Sequence, residues 1–465
     1  MKKQTILNIQ TFFDNQFTDF SSYAAYRSLA SYSDGLKNSK RKVVYTTQKY
    51  IKGQKEKVSR LAATVSLKSE YLHGETSLEG AIVTLVRNWD QNICLYDEIG
   101  KFGTRTIPHA ASSRYIFTKK SNIFDQIFLP DFYQIDEPQL FEGTKIEPKS
   151  LTPILPLILI NGETGVGSGF SQNILPRNPK QIQDTIIKYI KSKAKKPEHI
   201  INNSVLDIQY PNFTNGIIKT ILTDSNKLKT FFLGNVKKKN TTTLIIDQLP
   251  IGYTIENYIK ILETLIEKKT IVSYKDSSSK NNFNFEIKIK REILNSNLFS
   301  FDINTKTNLP YIIETLKLVS SSVENFTTTG PNNSFHKFNT PQELLLKYLD
   351  FILERYEKLR LFKIQVLENE IILLSEKSRF IKLVIENKLK ISNISKKNIS
   401  TNMKKLKFSE DIIELCLSMK IYSLTKEKYE ELLNKIVEIT QDKSILEEKT
   451  NKDLYLIDIN KINIL

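Results

Sequence analysis

The sequence predicts a mixed α and β multidomain protein, and three features lead there. Its 465 residues exceed what one hydrophobic core organises, so two to four domains are expected, and a hydrophobic content of 40% is enough to bury each of them. Apolar residues recur at helical spacing in some stretches and alternate strictly in others, as where Phe283, Phe285, Ile287 and Ile289 interleave with Asn284, Glu286, Lys288 and Lys290. From Pro341 onward the helical period dominates.

Taken in order, residues 1–150 alternate helix-like segments with glycine-bearing loops. Ser77–Trp89 places Leu78, Ile82, Leu85 and Trp89 on one helical face behind the polar Glu75 and Thr76, which predicts a capped helix. Lys37, Lys40, Arg41 and Lys42 fall on a second short helix beginning near Ser33 or Asp34; cations near a helix start suit a phosphate backbone, and a solvated lysine face is the plainer alternative. Residues 151–335 carry a β-branched run from Thr241 to Gln248, a helix marked by Ile255, Tyr258, Ile259, Leu262 and Ile266, and the alternating strand above, so an α/β domain is expected. Over 336–465, Leu345, Leu349, Ile352, Tyr356 and Leu359 step by three or four residues. A second such series, Tyr429, Leu432, Leu433, Ile436 and Ile439, predicts a helix over about 425–450 running back against the first, with a globular tip over about 390–425.

Composition narrows the function classes. A formal net charge of +17 points to a polyanionic partner, with solubility or a lysine-rich background as alternatives. Two cysteines, Cys94 and Cys416, build neither a disulfide framework nor a four-ligand zinc site, and His73, His109, His199 and His336 lack metal-type spacing. No run of about 18 uninterrupted apolar residues predicts a membrane span, and Met1–Tyr23 lacks the apolar core of a signal peptide, so a cytoplasmic location is expected.

The candidate chemistry lies in Gly100–Phe117, GKFGTRTIPHAASSRYIF, where Arg114 stands beside Tyr115. A phenol next to an obligate cation suits attack on a phosphodiester: the oxygen becomes the covalent link while the guanidinium holds the phosphate oxygens. A tyrosine with a pKa of about 10 is phenolate in only about one molecule in a thousand near neutrality, so cations must favour the ionised form or the transition state. Upstream lie Asp34–Val43, DGLKNSKRKV, and Tyr71–Gly80, YLHGETSLEG; downstream lies Ile160–Ser171, INGETGVGSGFS. The glycines of that last segment are followed by no Lys-Ser or Lys-Thr, so they do not read as a nucleotide-binding phosphate loop.

These four segments, in this order, resemble the breakage-reunion core of type IIA DNA topoisomerases, most of all its phage branch, with the bacterial gyrase and topoisomerase IV A-type chains as further relatives. The resemblance implies a winged-helix DNA-cleavage domain over 1–150, a tower domain over 151–335, and a long antiparallel coiled-coil arm with a C-terminal dimer gate over 336–465. It implies a DNA cleavage and religation subunit of an ATP-dependent enzyme that makes a transient double-strand break through a 5′-phosphotyrosyl intermediate. Tyr115 would then be the nucleophile, with Arg114, Arg27 and His73 around the scissile phosphate. Lys37, Lys40, Arg41 and Lys42 would contact DNA, and Val166 would insert between base pairs where the family carries isoleucine. The implied partners are double-stranded DNA, a second copy of the chain, and a separate polypeptide carrying the ATPase and Toprim domains. That polypeptide would use ATP and hold Mg2+, since this sequence shows no Asp-x-Asp pair for the metal and no ATPase module, and it also stops short of a DNA-wrapping β-pinwheel. Two departures stand out: Asn38 replaces the proline that usually follows Asp-Gly-Leu-Lys, and the segment between Gly103 and Tyr115 is two residues shorter than in the eukaryotic enzymes. The rival reading is a non-enzymatic, architectural DNA-binding protein that retains the fold.

Overall fold

The computed structural model describes residues 8–464 apart from 52, 225–226, 281, 333, 392–393 and 421–423. Helix α1 (Thr18–Ser28) leads through a turn into α2 (Asn38–Tyr50). The sequence pattern starts α2 near Ser33 or Asp34; the structure delays it to Asn38 because the Asp34 side chain takes the Leu36 amide, at 3.0 Å, into a local turn. Gly35 completes that turn at φ +69°, against Ile158, whose amide nitrogen would lie 2.5 Å from any added Cβ.

Helices α3 (Val58–Ser69) and α4 (Glu75–Val86) follow, and Val43, Val44, Val58, Leu61, Val65, Leu78, Ile82 and Leu85 are buried. The capped helix expected over Ser77–Trp89 ends earlier, at Val86, because Arg87 takes an extended backbone. A three-stranded antiparallel sheet of β1 (Glu56–Lys57), β2 (Tyr96–Ile99) and β3 (Phe117–Lys120), ordered β1-β3-β2, completes this part.

The glycine segment that reads as a loop is instead a hairpin of β4 (Glu163–Gly167) and β5 (Phe170–Ile174), with Gly169 at φ +77° in its turn. Further on, β6 (Asn235–Lys238), β7 (Thr243–Gln248), β8 (Ser273–Asp276) and β9 (Phe285–Lys288) form an antiparallel sheet in the order β6-β7-β9-β8. Its inward residues Leu244, Ile246, Phe285 and Ile287 share a core with Tyr258 and Leu262 of α5 (Ile255–Glu267), the two periodicities of the sequence meeting face to face.

The described residues divide into two compact units, one running to Ile352 and resuming at Asp458, the other Leu353–Ile457. The 45-residue helix α6 (Pro341–Ile385) runs from one into the other, and Leu345, Tyr348, Leu349 and Ile352 are buried along its first turns. In the second unit, α7 (Lys396–Lys405) and α8 (Glu410–Leu417) precede α9 (Lys426–Glu448). Lys435 pairs with Glu370 at 2.9 Å and Lys443 with Glu368 at 2.8 Å, while the Leu446 carbonyl accepts from Arg360 at 3.4 Å, so α9 runs antiparallel to α6. Leu374, Phe380, Met403, Ile413, Cys416, Leu432 and Ile439 form the core of this unit.

Candidate functional site

Tyr115 ends a backbone-anchored loop. The Ala111 amide donates to the Lys101 carbonyl at 2.9 Å, the Ser113 hydroxyl to Glu79 of α4 at 2.6 Å, and the Tyr115 amide to the Ser112 carbonyl at 2.9 Å. On its far side the Ile116 carbonyl accepts from Val58 at the start of α3 at 3.1 Å. Further back, Arg105 ties the loop to the carbonyls of Asn212 and Leu249 and lies over the Phe213 ring at 5.0 Å. The chain on both sides is held while the phenol projects outward, 72% exposed, with Arg114 exposed beside it. A rigid backbone carrying an outward hydroxyl and guanidinium is what in-line attack on a large, external phosphodiester requires.

Arg27 and His73 lie together elsewhere on the same unit. Arg27 sits at the end of α1 and His73 just before α4, and Arg27 acts electrostatically on the imidazole. Desolvation first, then Arg27 and Lys42, hold the His73 pKa below its ordinary value, so the ring is neutral near pH 7. Its Nε2 is hydrogen-bonded to the Tyr23 hydroxyl at 3.0 Å, and the Tyr71 ring meets it edge-on with centroids 5.4 Å apart. Tyr23, Arg27, Lys37, Tyr71 and Val166 all line one open cavity of about 480 Å³. Arg114 and Tyr115 are outside its lining, and among the described residues no hydrogen bond or ion pair joins either of them to Arg27 or His73. One chain thus presents an exposed phenol outside the lining of this cationic cavity.

Val166 owes its position to the glycines around it. Gly165 and Gly167 face α1: an added Cβ at Gly165 would collide with the Ser28 carbonyl, and one at Gly167 would stand 2.8 Å from the Ala25 Cα. Because side chains alternate along a strand, Val166 points the opposite way and is 81% exposed. The Gln172 side chain of β5 locks the hairpin to the chain beyond α1, bonding both the amide and the carbonyl of Ala30 at 2.9 and 3.1 Å. The glycines serve close packing, and the result is an apolar side chain raised beside Arg27.

The four basic residues of the α2 region divide sharply. Lys37 and Lys40 sit partly exposed around Glu163, at 3.3 and 2.5 Å, and line a shared edge of the site. Burial works against the Glu163 charge, but Lys40 and then Lys37 outweigh it and hold its pKa below the usual value. Arg41 and Lys42, expected from the sequence to face DNA, do not. Arg41 is 1% exposed and forks onto Asp34 at 2.5 and 3.1 Å, with its remaining donors on Tyr26 and the Leu36 carbonyl. Lys42 is buried against Glu147 at 2.8 Å and the Ser69 carbonyl at 2.5 Å. Arg41 to Thr47 are buried without a break, so this stretch of α2 is enclosed on all sides and both cations act as internal struts.

Among the described residues no group of three or more His, Cys, Asp or Glu side chains converges as a metal ion requires, and no helix is long and apolar enough to cross a membrane. Two participants escape sequence inspection. Tyr23 is 50 residues from the histidine it bonds, and Glu163 is more than 120 from the lysines it pairs. Tyr23 lies outside every motif and Glu163 lies inside one that gives no hint of its lysine partners; only the folded chain reveals the pairings.

A family model described as the A-type chain of DNA gyrase/topoisomerase IV matches residues 27–464. Among similar proteins, DNA topoisomerase 2, mitochondrial, of Dictyostelium discoideum is 28% identical over 472 residues, covering 97% of this chain and 34% of its own length. The DNA topoisomerase medium subunit of Enterobacteria phage T4 is 24% identical over 431 residues, covering 91% of this chain and 92% of its own length. The crystal structure of the Plasmodium falciparum topoisomerase II DNA-binding, cleavage and re-ligation domain superposes with a TM-score of 0.81 at 29% identity, over 98% of this chain and 64% of that one. The chain therefore spans about a third of the length of the topoisomerase 2 relatives of Dictyostelium and Plasmodium.

Proposed function

Because the chain belongs to the family of DNA gyrase/topoisomerase IV A-type chains, we propose that it is the DNA cleavage and religation subunit of an ATP-dependent type II topoisomerase. The observation that carries this reading is Tyr115: an exposed phenol, backbone-anchored on both sides, beside an exposed arginine. In the proposed step the Tyr115 oxygen bonds to the scissile phosphorus, the bond from phosphorus to the 3′ oxygen breaks, and the leaving oxygen takes up a proton as a 3′ hydroxyl. The 5′ phosphate stays on the tyrosine. Religation reverses the step, so the bond energy is kept and no nucleotide is consumed there.

Arg114 holds a phosphate oxygen beside the nucleophile, while Arg27 and Lys37 supply further positive charge and neutral His73 supplies a hydrogen-bond donor. Because neither Arg114 nor Tyr115 lines the Arg27 cavity or, among the described residues, bonds to Arg27 or His73, we assign a homodimer in which the tyrosine of one protomer meets the Arg27 cavity of the other, cutting both strands. Val166 is the wedge at the bent duplex. The described carboxylates do not fit a divalent-ion site, so Mg2+ and ATP are assigned to a partner polypeptide, and no step on this chain passes through them. The 1–150 segment with Tyr115 is assigned as the winged-helix domain, 151–335 as the tower, and the arm and its tip over 336–465 as a dimer gate.

The test is covalent trapping. Incubated with supercoiled DNA, Mg2+ and an ATPase/Toprim partner and then denatured, the chain should carry DNA esterified through Tyr115 to a 5′ phosphate, mapped by peptide mass spectrometry. Tyr115→Phe should retain DNA affinity and stability within about 0.5 kcal/mol, since an exposed hydroxyl is lost, and form no adduct. An adduct that persists in the variant overturns the nucleophile assignment, and absence of any adduct in the wild type favours the architectural alternative.

A further inference from the structure

We propose that Tyr23 is a positioning residue for His73, fixing the imidazole with its proton on Nδ1 so that this N–H is the donor offered to the DNA phosphate. The inference rests on the cleavage reading above and adds to it a residue outside every motif of the sequence.

The geometry makes the assignment. The Tyr23 hydroxyl stands 3.0 Å from His73 Nε2, and among the described residues it bonds to nothing else. A phenol is the stronger hydrogen-bond donor and a neutral imidazole nitrogen the stronger acceptor, so the favoured pairing has the Tyr23 hydroxyl donate and Nε2 accept. A neutral ring that accepts at Nε2 carries its proton at Nδ1. No hydrogen bond to Nδ1 is found among the described residues, which leaves that donor for a ligand. The second orientation angle is set by Tyr71, whose buried ring meets the imidazole at 78°. Two aromatic residues from different elements therefore determine both the plane and the tautomer of the ring.

Within the loop of His73, Tyr71 supplies only a ring contact, and the adjacent residues are Leu72, an exposed aliphatic side chain, and Gly74, so the hydrogen bond that fixes the ring nitrogen comes from Tyr23 outside the loop. Tyr23 reaches in from α1, one turn before Arg27, and residues four apart share a helix face. The helix that presents Arg27 to the cavity thus also orients the histidine beside it, and a shift of α1 would move both together. This matches the general rule that a histidine acting through one ring nitrogen is oriented by the bond at the other.

The experiment compares the full chain with Tyr23→Phe, which keeps the ring and removes one oxygen from an exposed helical site. With 15N-labelled histidine, only four imidazoles contribute, and protonated and unprotonated ring nitrogens are widely separated. The wild type should show His73 with Nε2 unprotonated and Nδ1 protonated, and the variant should move both toward a tautomer mixture. In the assembled enzyme, Tyr23→Phe should slow covalent adduct formation by about three- to tenfold, the range of one lost hydrogen bond. In a His73→Ala background the same substitution should change the rate by less than about twofold, because the residue acts only through the imidazole. Unchanged His73 nitrogens in Tyr23→Phe, or an undiminished effect in the His73→Ala background, overturn the proposal. Nitrogens that shift as expected in a chain that never forms adducts overturn the cleavage reading and leave the Tyr23 to His73 pairing intact.

Discussion

Replacing Arg41 with Met distinguishes a DNA contact from an internal strut, because the two roles predict opposite pairs of results. Asp34 is fully buried and accepts from the Leu36 and Leu151 amides at 3.0 and 3.1 Å as well as from Arg41. Burial alone would disfavour the Arg41 charge, yet Asp34 and then Tyr26 raise its pKa above the usual value, so the cation is permanent. Removing it leaves a buried carboxylate with only its backbone donors, a change that costs about 3–5 kcal/mol. That corresponds to a fall in melting temperature of about 4–7 °C for a unit of this size, at about 2.1 cal/mol/K of unfolding entropy per residue. Urea and thermal unfolding measure the loss, and salt-dependent DNA binding of the folded variant measures the rest. An internal Arg41 leaves the slope of log K against log salt unchanged, whereas a phosphate contact would lower it by about 0.9. The companion Asp34→Asn/Arg41→Met should recover part of the stability, since a neutral side chain removes the unpaired buried charge while its carbonyl still accepts from the Leu36 amide. A single variant with wild-type stability and a reduced salt slope would refute the assignment and return Arg41 to the DNA surface.

Glu163 gives a pH signature: its folded pKa is depressed by Lys40 and Lys37, so its contribution to stability is complete above the unfolded value of about 4.3 and is lost as pH falls through the lower folded value. Glu163→Gln should flatten the stability profile below about pH 5, and an unchanged acid limb in urea titrations would show that the lysine pairing contributes nothing. Mixed dimers of Tyr115→Phe and Arg27→Ala protomers should nick a single strand if the tyrosine of one protomer uses the pocket of the other, because one intact site then remains. Complete loss of cleavage in that mixture would mean that each chain supplies its own pocket.

The elements that the sequence makes legible are those set by local periodicity. Phe285 and Ile287 alternate because one face of β9 is buried, and the 45-residue α6 announces itself through Leu345, Leu349 and Ile352. Tyr115 is legible for another reason: Arg114 and the flanking glycine loop are its neighbours in the chain. The hairpin that carries Val166 is not, since Gly165 and Gly167 have no strand propensity and are dictated by the approach of α1, a tertiary fact. The pairings of Tyr23 with His73 and of Glu163 with Lys37 and Lys40 are invisible for the same reason, being long-range contacts that no local pattern encodes.

The cations of the α2 region show where counting charge along a sequence misleads. A net charge of +17 suggests a broadly basic surface, but Arg41 and Lys42 are neutralised inside by Asp34 and Glu147, and Lys37 and Lys40 share Glu163. Arg41 to Thr47 are buried on every side of α2, a fact of tertiary enclosure that the order of charges along the sequence does not carry. Near α2 the positive charge that stays outside belongs to residues whose local geometry keeps them there, Arg27 at the end of α1 and the partly paired Lys37, and Arg114 is exposed on its anchored loop. The apolar Val166 shares a cavity with Arg27 and Lys37, which fits the proposed reading in which this face holds a duplex by its backbone and bends it while Tyr115 does the cutting.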